Sequence, residues 1–253
     1  MDNAQKLPYS TGLGLGQSAK IGLIVLQTDQ TIEDEFRQIL AIDGVACYHS
    51  RIANAMQVTP QTLAKMQADL PIAARLLPKA FMFDAIGYGC TSGATIIGED
   101  RVAHLILAQH PNAKVSNPLS ACKAACTALK LNRIALLTPY TPQVTQALSD
   151  ALSAGGIAIS HTGYFDIEDD FDVGRVDSAS LFNAIIELGS HESCEGVFVS
   201  CTSLRMAHLI LKAEQRLGKP VISSNQALAW HLLRLSGVDK ELPHFGCLFT
   251  QGC

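Results

Sequence analysis

Short, continuous apolar runs alternate along the chain with longer stretches in which apolar residues recur every three or four positions. The runs Ile21 to Leu26, Ile134 to Leu137 and Gly196 to Val199 show no polar alternation, which marks strands covered on both faces, as in a parallel sheet. After the first run, Ile32, Phe36, Ile39 and Leu40 outline a helix that Asp29 or Thr31 can cap. A strand over Val45 to Ser50 follows, and Thr59-Pro60 then opens a helix through Leu63, Met66 and Leu70 that Pro71 should interrupt. The apolar stretch from Phe81 leads to Cys90, with a helix over Gly98 to His110, a short strand at Lys114 to Ser116 and a helix over Leu119 to Lys130.

The series then repeats. Ile134 to Leu137 is followed by a helix over Gln143 to Ala154, stopped by Gly155-Gly156, and a strand over Ile157 to Tyr164. A helix over Ser178 to Leu188, the strand leading to Cys201, a helix over Met206 to Leu217, a strand at Val221-Ile222 and a helix over Gln226 to Leu235 complete it. Strands alternating with helices predict an α/β fold. Ile21 to Cys90 is 69 positions and Ile134 to Cys201 is 67, so the pattern predicts two similar halves related by a pseudo-two-fold axis. Each is expected to hold a mostly parallel sheet of about four strands flanked by helices, over residues 20–131 and 132–253, with a C-terminal helix crossing over. Residues 1–19 are polar and glycine-bearing and read as a flexible arm.

The candidate chemistry lies where the repeat is closest. Gly89-Cys90-Thr91-Ser92-Gly93 and Ser200-Cys201-Thr202-Ser203 each place a cysteine and two hydroxyls after an apolar strand and before a helical pattern. A thiol at a helix N-terminus meets oriented N–H groups that favour the thiolate, and the hydroxyls offer donors to an anion. Ligands in open α/β sheets bind at the carboxyl ends of the strands, so two such halves would set Cys90 and Cys201 on either side of one cleft. The plainer reading makes both cysteines small buried hydrophobes.

Composition narrows the classes. A net charge of −4 with no basic stripe argues against nucleic acid, and no apolar run reaches the roughly 18 residues of a membrane span. The eight cysteines form no CxxC pair and no Cys/His metal spacing, and no apolar signal core precedes the first strand. Reduced thiols, no metal and a cytoplasmic setting are the expectation.

Five motifs taken in order resemble the aspartate/glutamate racemase superfamily, and within it the branch of maleate cis-trans isomerase, arylmalonate decarboxylase and their ectoine-utilisation relatives. They are Thr28-Asp29-Gln30-Thr31, the two cysteine motifs, Leu137-Thr138-Pro139-Tyr140-Thr141 and Ser223-Ser224-Asn225-Gln226. The resemblance spans about Lys20 to Gln251 and implies cofactor-independent chemistry beside a carboxylate, with Cys90 and Cys201 as opposed acid and base. It further implies that Thr91, Ser92, Tyr140 and Thr202 bind the substrate carboxylate. Maleate isomerase carries an Asn after the first strand where this chain has Asp29, which would attract an ammonium or amide N–H instead of a second carboxylate. Asp29 as a plain helix cap is the competing reading.

The expected function is a racemase or isomerase acting alpha to the carboxylate of a small amino or N-acylamino acid, and the ectoine-utilisation likeness suggests a diaminobutyrate derivative. A maleate-type isomerase, a decarboxylase using Cys201 as proton donor, and a non-catalytic small-carboxylate binding protein are the alternatives. The branch's decarboxylase has a glycine where this chain has Cys90, so the retained cysteine argues against simple decarboxylation.

Other signals count for less. Arg51 could pair with a carboxylate, Asn117 and Asn225 are helix caps first, and Asp166 to Asp172 reads as a solvated acidic loop that covers the cleft. An apolar face on Gln226 to Leu233 can pack internally or between subunits, and a homo-oligomer is expected.

Overall fold

The computed structural model describes residues 4–250. Four parallel strands, β1 (Ala19–Leu26), β2 (Val45–Ile52), β3 (Ala85–Gly89) and β4 (Lys114–Ser116), form one sheet in the order β2-β1-β3-β4. The second sheet, β5 (Arg133–Thr138), β6 (Ala158–Tyr164), β7 (Gly196–Val199) and β8 (Val221–Ser223), repeats that order as β6-β5-β7-β8, again all parallel. The unalternated runs do sit at the sheet centres: Ile21, Leu23, Ile24 and Val25 are buried on β1, and β3 and β7 are buried throughout. Residues 4–18 contain no helix or strand, while Met1 to Asn3 and Cys253 lie outside the described residues.

The helices are α1 (Ile32–Ile39), α2 (Pro60–Leu76), α3 (Thr91–Ile97), α4 (Glu99–Leu107), α5 (Pro118–Ala128), α6 (Pro142–Ala154), α7 (Asp170–Val173), α8 (Ser178–Gly189), α9 (Ile210–Leu217) and α10 (Ser224–Leu235). Three depart from expectation. Pro71 does not interrupt α2: Leu70, Ala73 and Ala74 are buried around it, and that packing outweighs the hydrogen bond proline cannot make. The segment after Cys90 is two helices, parted at Gly98, whose φ of +92° suits only glycine. In the second half α9 starts at Ile210, later than expected, and the backbone N–H groups of Met206 and Ala207 ahead of it donate to the Glu35 carboxylate at 2.6 and 2.7 Å.

α10 crosses to the first half and packs on α5 and β3. Leu228 and Leu232 approach Gly87 so closely that a Cβ there would stand 2.8 Å from Leu232 Cδ1. Its apolar face, including Trp230 and Leu233, is therefore covered within the chain. Among the described residues, no helix is long and apolar enough to cross a membrane.

Candidate active site

β3 delivers Cys90 directly after Gly89, and β7 delivers Cys201 two positions after Val199. The two strands hold equivalent places in their sheets, and both thiols line one narrow cavity. Thr91, Ser92, Tyr140 and Thr202 line it as well. Leu26, Val58, Leu63 and Met66 supply an apolar wall.

The two cysteines sit in different backbone settings. Cys90 is the N-cap of α3, and its Sγ accepts the Gly93 N–H at 3.2 Å with Ser92 Oγ at 3.7 Å. Gly93 is needed for that approach, because a Cβ there would lie 2.5 Å from Tyr88 Oη and 2.9 Å from Cys90 Sγ. No helix begins at Cys201, whose φ of +119° is strained for a residue with a side chain. The expectation of a helix mouth at each thiol thus holds for Cys90 and fails for Cys201.

Hydrogen bonds across the halves hold these segments together. Cys201 N–H donates to Ser224 Oγ at 3.0 Å, and that hydroxyl lies 2.8 Å from Thr91 Oγ1. Thr202 Oγ1 donates to the Gly89 carbonyl at 3.3 Å. Asn225 Nδ2 donates to the Thr202 carbonyl and to Glu35 Oε2, both at 2.8 Å. Asn225 is therefore a strut and not a helix cap; Ser223 caps α10. Asn117 caps α5 as expected.

Burial sets the resting protonation. It pushes the Cys90 thiol up to about 11, against the opposing Gly93 N–H and Ser92 hydroxyl, and it pushes Cys201 higher still, with the Asp170 charge as the next cause. The expectation of lowered thiols is corrected here: the one N–H that α3 offers Cys90 is outweighed by desolvation. Tyr140, whose Oη accepts from Ser200 Oγ at 3.3 Å, is also raised by burial.

Six of the seven expected site residues line the cavity, and Asp29 does not. Its Oδ1 accepts the backbone N–H groups of Thr31 and Ile32, both at 2.8 Å, so it caps the start of α1, and burial raises it to about 6. Arg51 also stays outside, paired with Glu33 at 3.0 Å and donating to the Leu26 carbonyl at 2.9 Å.

The carboxylate that does line the cavity is Asp170, from the acidic stretch expected to be solvated. Asp170 is only 4% exposed. Its backbone N–H donates to the Met56 carbonyl at 3.0 Å, and Val58 N–H to the Glu168 carbonyl at 2.9 Å, so loops from both halves meet across the mouth. Thr28 and Ser203 hydroxyls donate to its two oxygens, opposing the upward push of burial on its pKa. Sequence reasoning missed Asp170 in the site and Ser224 and Glu35 in its support; Ser224 lay in a quoted motif and Asp170 in the acidic stretch singled out as a loop.

The arylmalonate decarboxylase family model matches residues 107–249, more than half of the chain. The chain belongs to the arylmalonate decarboxylase family. Full-length relatives of this family member include the maleate isomerase of Nocardia farcinica, 27% identical over 241 residues, which are 92% of this chain and 96% of that one. That of Geobacillus stearothermophilus is 25% identical over 91% of this chain and 97% of its own. In fold, the chain matches the Nocardia farcinica maleate cis-trans isomerase carrying a covalently bound succinylcysteine intermediate, with a TM-score of 0.86, 24% identity and coverage of 93% and 99%. The architecture is that of the aspartate/glutamate racemase superfamily, and this family member is an enzyme whose kinship is with isomerases.

Proposed function

We propose that the protein is a cofactor-independent racemase acting alpha to the carboxylate of a small amino or N-acylamino acid, with Cys90 and Cys201 as the acid and base. The observation that carries this reading is the arrival of two thiols, from equivalent strands of the two halves, in one cavity. One thiolate takes the α-proton, and the opposite thiol returns a proton to the other face. Thr91, Ser92, Tyr140 and Thr202 line the same space; the hydroxyls of Thr91, Ser92 and Tyr140 suit the substrate carboxylate, whose charge grows as the enediolate forms, and Thr202, whose hydroxyl is spent on the Gly89 carbonyl, serves through its backbone N–H. Both thiols rest protonated in so buried a site, and a positively charged substrate group beside them favours the thiolate that starts the reaction. Asp29 acts indirectly, through the turn it holds at the head of α1.

A second reading, cis-trans isomerisation of a maleate-type diacid, is supported by the full-length likeness to maleate isomerases. One experiment separates the readings. Wild type, Cys90→Ala and Cys201→Ala are incubated in D₂O with amino acids, N-acetylamino acids, maleate and an arylmalonate, and followed by NMR. Deuterium at the α-carbon with loss of optical purity, abolished by either substitution, is the expected result. Conversion of maleate alone selects the second reading, and CO₂ release that survives Cys90→Ala selects decarboxylation with Cys201 as proton donor.

A further inference from the structure

Among the described residues, Asp170 is the sole carboxylate that lines the cavity, and no Lys, Arg or His lines it. The hydrogen bonds around it have a fixed direction. Asn54 Oδ1 accepts the Thr28 backbone N–H at 3.2 Å, which orients the amide and leaves Nδ2, a pure donor, 2.8 Å from Thr28 Oγ1. The Thr28 hydroxyl accepts that bond and spends its own hydrogen on Asp170 Oδ2. Ser203 Oγ donates to Asp170 Oδ1 at 3.0 Å. Each oxygen thus receives a hydroxyl hydrogen, the arrangement that suits an ionised carboxylate, since that group only accepts. The result is a buried carboxylate that accepts at both oxygens, with no cation among the described residues that line the cavity.

We infer that Asp170 is the specificity residue of this cavity, and that the ligand is a monocarboxylate whose protonated amine faces Asp170. The hydroxyls of Thr91, Ser92 and Tyr140 are left for the single carboxylate. A diacid would bring a second anion to Asp170 in a shielded space, where like charges repel strongly. An N-acylated amine keeps an N–H for Asp170 but loses the charge, so it ranks between the two. The inference rests on the proposed function for the choice of cavity, and it narrows the substrate class there to free amino acids.

The test is equilibrium binding, which needs no turnover. The dissociation constants of 2-aminobutyrate, N-acetyl-2-aminobutyrate, butyrate and maleate are measured by calorimetry at pH 7.5 for wild type and Asp170→Asn. Wild type is expected to bind 2-aminobutyrate about tenfold or more tightly than butyrate or maleate, with the N-acetyl compound between, and Asp170→Asn to erase that preference. Maleate binding as tightly as the amine, or no binding of the amine, overturns the inference, and so does a folded Asp170→Asn that keeps the ranking. If the variant does not fold, the wild-type ranking alone decides. An amine preference without α-proton exchange in D₂O would sink the racemase reading and leave this one standing.

Discussion

Ser203 Oγ donates to Asp170 Oδ1 at 3.0 Å, which joins the residue two positions past Cys201 to the loop that closes the cavity mouth. Removing one donor from a buried carboxylate exposes its desolvation cost. Ser203→Ala is expected to lower stability by about 1–3 kcal/mol, read from the urea midpoint at unchanged m-value. It should also weaken any amine preference in binding, because a less supported Asp170 takes up a proton more readily.

The two thiols should differ in reactivity. Burial raises both thiols and the Asp170 charge adds to both, but that charge is the second cause at Cys201, whereas at Cys90 the Gly93 N–H and the Ser92 hydroxyl outrank it. Iodoacetamide labelling followed by peptide mass spectrometry should modify Cys90 before Cys201. The Cys90 rate should climb about tenfold per pH unit until it levels near its pKa of about 11. Faster labelling of Cys201 would contradict the assignment.

Buried carboxyls give stability a pH slope of defined sign. Burial raises Glu35 from 4.5 to about 7 and Asp29 from 3.8 to about 6. Between the unfolded and folded values the native state binds more protons than the unfolded one, so stability falls as pH rises through that window. Each group costs on the order of 3 kcal/mol once fully ionised. Urea midpoints between pH 4.5 and 7.5 should fall with pH in wild type and fall less in Glu35→Gln. A slope unchanged by that substitution would show that Glu35 is ionised throughout.

Gly87 carries the contact between β3 and α10. A Cβ there would meet Leu232 Cδ1 at 2.8 Å and Leu23 Cδ1 at 3.1 Å. Gly87→Ala should cost about 1–3 kcal/mol by pushing α10 outward. The same shift moves Ser224, which ties Cys201 N–H to Thr91, so kcat should drop more than KM rises. A full-activity variant with a wild-type Tm would show that α10 has slack here.

Much of the site was legible because its residues sit next to strand ends. An apolar run followed by Cys-Thr-Ser places the cysteine at the carboxyl end of a parallel strand, and the nearly equal spacing of the two runs implies two equivalent strands facing one cleft. Asp170 was not legible, because an acidic stretch ordinarily stays in water. Only the pairing of Gln57 with Asp169, from opposite halves, draws that stretch over the mouth and turns Asp170 inward. Asp29 lies in the right motif yet does not line the cavity, because the backbone N–H groups of Thr31 and Ile32 at the head of α1 hold its Oδ1.

The sequence by itself determined the α/β class, the doubled order of strands and the placement of Cys90, Cys201 and their hydroxyls, because hydrophobic period and strand-end position are local properties. The tertiary structure decided which carboxylate lines the cavity, which thiol is easier to ionise, and where the helix after Cys201 begins. Those depend on burial and on hydrogen bonds between segments far apart in the chain, such as Glu35 with Met206 and Thr28 with Asp170, and no local pattern encodes such a pairing.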